Sequence, residues 1–160
     1  AFNHRFARER ESIRRLVHSC DASSAATRVL IKRLPGMEDS SRNWSVWMTL
    51  DHLRIVNHGL AKTIGSLARE MTPPGQASTA AVKPSPTVDA SVVAGYEASC
   101  DAVIAAVAAA PTLKTNARFT HPWFGALDAE GWPAMNGGHL SIPRKQIEHI
   151  LKAIPAPGAS

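Results

Sequence analysis

Seven histidines are the residues best suited to chemistry in this sequence: His4, His18, His52, His58, His121, His139 and His149. A neutral imidazole can ligate a divalent metal or carry a proton near neutral pH. A catalytic metal site takes about three protein ligands and keeps a further position open for water or substrate. No HExxH, HxxxH or Glu-x-x-His spacing occurs, so no helical turn offers two such groups side by side. Only His52 and His139 fall on apolar helix faces, the first with Met48, Ile55 and Val56, the second with Met135 and Ile142. Either alone reads as a core imidazole with a satisfied hydrogen bond. Together, on the second and fourth helices, they could meet inside a bundle.

The remaining histidines have plainer readings. His58 and His149 are rotated away from the apolar faces of their helices. His4 and His18 read as exposed. His121 precedes Pro122 in a loop, where it either serves a loop hydrogen bond or reaches a pocket at the bundle end. Asp51 lies beside His52 but points elsewhere on the helix. Cys20 and Cys100 form no CxxC pair and read as half-buried core thiols in a cytoplasmic protein. No GxSxG or Walker-type phosphate loop is present.

Four amphipathic segments must position these groups, giving an all-α, four-helix bundle over a single 1–160 domain. The first runs from about Arg5 to Leu34, where Ile13, Leu16, Val17, Cys20, Leu30, Ile31 and Leu34 recur at three- and four-residue steps before Pro35-Gly36. The second runs from about Val46 to Glu70, with Ser45 or Asn43 as its cap. Residues 72–87, rich in Pro, Ala, Ser and Thr, read as a crossover connection the length of the bundle. The third segment runs from about Val88 to Ala110 after Thr87, with a seam of Val92, Tyr96, Cys100, Val103 and Val107. Residues 111–127 read as a loop whose Phe119, Trp123 and Phe124 pin it to the bundle end. The fourth runs from about Ala129 to Ile154, capped by Asp128 and kinked at Pro143, which has no N–H to offer the turn before it. No segment of useful length carries the alternation of a strand.

Composition bounds the function classes. With 44% hydrophobic and 19% charged residues the chain is globular rather than disordered. Charged or histidine residues interrupt every apolar run before it reaches the length of a bilayer span. The N-terminal stretch lacks a signal-peptide core, and Glu9 and Glu11 argue against a transit peptide. The net charge of +5 is concentrated in the first segment. It reads as a solvated helix face rather than a nucleic-acid surface, because no helix-turn-helix, zinc finger or aromatic platform accompanies it. An Ala-rich face on the third segment suits close approach of a second copy, so a homodimer is expected.

Trp44-Ser45, His52-Leu53, His121-Pro122-Trp123-Phe124-Gly125, Trp132, His139 and Lys145-Gln146-Ile147 together resemble the DinB-like (YfiT-like) superfamily of metalloenzymes. The resemblance covers nearly the whole chain and implies a four-helix bundle with a long link between the second and third helices. It also implies a three-histidine metal site, one ligand from helix two and two from helix four spaced HxxxH. His52 matches the first position and His139 the second. The third falls on Pro143, which cannot ligate a metal, so zinc or nickel would be held only if another group substitutes, His121 and Asn57 being the nearest. The resemblance therefore implies a degenerate member whose bundle-end pocket, with Asn57, His121, Trp123 and Gln146 as candidate lining residues, binds a small ligand or a partner. The alternative is a metal-dependent transferase or hydrolase using His52 and His139 with a substitute third ligand.

Overall fold

A computed structural model describes residues 2–155, the side chains of 137–139 excepted. Its helices are α1 (Phe2–Ser19), α2 (Ala22–Ala26), α3 (Val46–Leu67), α4 (Val92–Ala109), α5 (Gly131–His139) and α6 (Ser141–Ala153). Two three-residue strands, β1 (Phe119–His121) and β2 (Gly125–Leu127), pair antiparallel with Thr120 opposite Ala126. The rods α1, α3, α4 and the α5–α6 pair make a four-helix bundle. Phe6 and Ile13 of α1, Leu50 and Ile64 of α3, Tyr96 and Val103 of α4, and Ile147 and Ile150 of α6 fill its centre. Apolar stripes recurring once per helical turn put these residues on one side of each rod, away from water.

The first helix is shorter than its spacing predicts. It stops at Ser19 because Asp21 starts a new N-terminus, its carboxylate accepting the Ser24 N–H at 2.7 Å. Beyond Thr27 the chain runs without helix to Asp39. Ile31 is pinned there from both sides, its N–H donating to Arg42 O and its carbonyl accepting from Arg42 Nε. Neighbouring side chains of extended backbone point to opposite sides, so Ile31 is buried while Leu30 is 69% exposed. The turn that follows needs Gly36, whose φ is +81° and where a Cβ would meet Ile142 Cδ1 at 3.0 Å.

The second helix matches its expected start. Ser45 Oγ accepts the Met48 N–H at 3.1 Å, satisfying one of the free donors of the first turn. α4 begins at Val92 rather than after Thr87, with the Asp89 carboxylate accepting the Ser91 N–H. Its seam of Val92, Tyr96, Cys100 and Val103 is buried, chiefly against α3. Contrary to the reading of its composition, α4 is long and apolar enough to cross a bilayer by those two criteria, with a mean hydropathy of 1.5. Its acids Glu97 and Asp101 are paired with Arg10 of α1.

The fourth rod is two helices rather than one kinked helix. Asp128 Oδ1 accepts the N–H groups of Glu130 and Gly131 at its start. The break comes at Leu140, so Pro143 falls in the first turn of α6. There a missing N–H costs nothing, since the first-turn donors have no helical partner anyway. Within the loop expected at 111–127, residues 119–127 form the β1–β2 hairpin, closed at Gly125 with φ +76°.

Candidate functional site

A cavity of about 480 Å³ lies between α3, the α5–α6 rod, the hairpin and the crossover connection. Its walls are mostly apolar and aromatic. Trp44 precedes α3, Trp132 belongs to α5, Phe119 to β1 and Leu60 to α3. The connection, including Pro73, Pro74, Ala77 and Val82, forms one side.

The order of that connection comes from two adjacent residues of α3. His52 Nδ1 lies 2.7 Å from Val82 O. A carbonyl only accepts, so Nδ1 carries the proton and Nε2 the lone pair. Burial pushes the His52 pKa below its ordinary value, against the opposing hydrogen bond to Val82. The ring is therefore neutral at physiological pH and leans on Trp44, with centroids 5.2 Å apart. Asp51, buried at 5% exposure, accepts the Ser85 N–H at 2.9 Å and pairs with Arg54. The 82–85 stretch is thus tied to α3 at both ends.

His52→Ala is expected to free this wall. Protease cleavage within residues 73–85 should become several-fold faster, with a loss of about 1 kcal/mol in stability for the missing hydrogen bond. Unchanged proteolysis at pH 7 would show that His52 does not hold the connection.

Of the other residues expected at a pocket, three border this cavity. Gln146, 2% exposed, donates from Nε2 to Ser41 O at 2.8 Å. His121 accepts the Trp123 N–H on Nδ1 at 3.0 Å, and its ring packs on Trp132 at 5.2 Å. Trp123, at the hairpin tip, is 53% exposed. Asn57 does not border the cavity. It is sealed between α3 and α4, its amide nitrogen donating to Ser99 Oγ at 3.1 Å and lying 3.5 Å from Cys100 Sγ. One step along a helix turns a side chain by 100°, and that step carries Asn57 from the cavity side to the α4 side. Burial pushes the Cys100 thiol up to about 11, which suits an inert core thiol.

Pro143 is buried in the cavity wall, and the His139 side chain lies outside the described residues. Among the described residues no three His, Cys, Asp or Glu side chains converge as a metal-holding group.

Most wall residues were not expected at a site from the sequence, Trp132 and Asn136 among them. Trp132 and Asn136 are one helical turn apart and continue to Leu140 and Pro143, all bordering the cavity. That four-residue step was available in the sequence.

The DinB superfamily model matches residues 5–147. The chain belongs to the DinB superfamily. The solved structure described as TT2238, a four-helix bundle protein, is similar over 95% of this chain and 94% of that one. Identity is 20% and the TM-score 0.59, a likeness of fold. No curated protein sequence matches the chain. Superfamily membership and bundle fold agree with the four rods α1, α3, α4 and α5–α6.

Proposed function

We propose that this DinB-superfamily bundle is a binding protein without a complete three-histidine metal site, and that its cavity takes a small, mostly apolar molecule. The observation that carries the reading is Pro143, buried in the cavity wall at the position where the superfamily pattern calls for a third ligand. The aromatic and aliphatic lining supports it, because apolar pockets of this size bind by excluding water from ligand and wall alike.

The test uses chelator-treated full-length protein. After loading with zinc or nickel and desalting, metal is expected well below one ion per chain. The metal-free protein is expected to bind ethylbenzene saturably, read by tryptophan fluorescence. Tight stoichiometric metal would defeat this reading.

A second reading is favoured by one feature: the Nδ1–H of His52 is fixed on a backbone carbonyl, as the free ring N–H of a metal-ligating imidazole commonly is. In that reading the chain is a metal-dependent transferase or hydrolase using His52, His139 and a substitute third ligand. It fails if His52→Ala and His139→Ala leave metal content unchanged.

A further inference from the structure

Among the described residues, one buried polar group at the cavity has no partner. Asn136 is 5% exposed and borders the cavity, and its amide nitrogen makes no hydrogen bond. Native proteins leave few buried donors in this state, since desolvation is then uncompensated. Among the described residues two other atoms share the condition, Asn57 Oδ1 and Tyr96 Oη. Neither residue borders the cavity, so no ligand could reach them. Asn136 differs because the residue borders the cavity, so a small rotation of its side chain would turn the closed-off amide toward a ligand.

The surroundings narrow the ligand. Trp132, Met135 and Leu140 flank Asn136 along the fourth rod, with Phe119 and Leu60 among the facing walls. None of the described buried lining residues carries a charge. The lysines that border the cavity, Lys62 and Lys83, are exposed or half-exposed, as is Glu38. A charged group beside Asn136 would lose its hydration with no buried counter-charge to replace it. A neutral acceptor meets the neutral donor without that loss.

We infer that Asn136 is the polar anchor of the cavity, donating from its amide nitrogen to the carbonyl-type oxygen of an uncharged, mostly apolar ligand such as a ketone, ester or amide. This rests on the small-ligand reading of the cavity proposed above. A buried, unpartnered donor in a mostly apolar cavity sets the ligand's orientation. It also rejects the corresponding hydrocarbon, which would leave the amide unpaired.

The experiment titrates the full chain with acetophenone, ethylbenzene and benzoate, following tryptophan fluorescence. Acetophenone is expected to bind about 10-fold tighter than ethylbenzene, the worth of one net hydrogen bond, and tighter than benzoate. In Asn136→Leu the ketone advantage should vanish while ethylbenzene affinity stays within about 3-fold. The unliganded variant should melt no lower than the wild type, because an unpaired amide is being replaced by an apolar group of similar size. A wild type with no preference for the ketone, a preference for benzoate, or a variant that keeps the ketone advantage overturns the assignment while leaving the cavity as a ligand site. Failure of the wild type to bind either neutral probe removes the underlying ligand reading instead. The wild-type comparison needs no variant, so a misfolded Asn136→Leu would not shield the inference.

Discussion

Trp132→Ala is expected to destabilise the protein by about 3–5 kcal/mol, the range for deleting a buried aromatic side chain. The indole is 8% exposed, stacks on Phe119 with centroids 5.6 Å apart, and packs on His121. Its N–H donates to Phe119 O at 3.2 Å. A strand pair only three residues long cannot hold its own geometry in water, so this side chain is what seats the hairpin on α5. Removing it takes away a cavity wall, an aromatic contact and a hydrogen bond together. Denaturant midpoints should fall accordingly, and amide protection across residues 119–127 should drop to that of a detached loop. Trp132→Phe keeps most of the bulk and loses the N–H, and should cost about 1 kcal/mol. A loss under about 1 kcal/mol for the alanine variant, with hairpin protection intact, would show that the hairpin is held by other means.

The helices were legible where one local signal and one long-range contact agree. Ser45, one of the two caps read from the sequence, caps α3 in the structure, and the α4 seam predicted by its spacing is the face buried on α3. Reading failed where a local competitor wins. Asp21 offers its carboxylate to a new helix start, and the three- and four-residue steps from Leu30 to Leu34 coincide with the two-residue alternation of extended chain around Ile31. The hairpin is too short for any alternation to register, and Trp132, which seats it, lies outside both strands. Composition alone leaves residues 72–87 unordered, because their anchors are Asp51 and His52, some 30 positions earlier. For the site, His52, His121, Trp123 and Gln146 reach one cavity, whereas Asn57 belongs to the α3–α4 seam. Facing was the difficulty there: apolar faces on α3 serve both the α4 contact and the cavity, and periodicity does not separate them.

Glu97→Ala should cost about 1.5–3 kcal/mol at pH 7, the range for losing hydrogen bonds to a charged group. Glu97 projects from α4 toward α1 and accepts from both Arg10 and Arg14, with Arg14 Nη2 at 2.8 Å and Arg10 Nε at 2.8 Å. Its side chain is 24% exposed and that of Arg10 15%, so solvent screens this cluster less than a surface pair. Burial pushes the Glu97 carboxyl up, but the hydrogen bonds and charges of the two arginines outweigh it and hold the group below the ordinary carboxylate value. A carboxylate whose folded pKa is depressed stabilises the fold above its unfolded pKa, near 4.3, and that stabilisation is lost as pH falls through the folded value. The gap between wild type and Glu97→Ala should therefore be full at pH 7 and still full at pH 5. It should close progressively below about pH 4.3. Urea unfolding of both proteins across that range measures it. A gap that stays constant down to pH 3 would mean the variant loses packing rather than charge. In that case part of the basic surface of α1 would not be committed to holding α4.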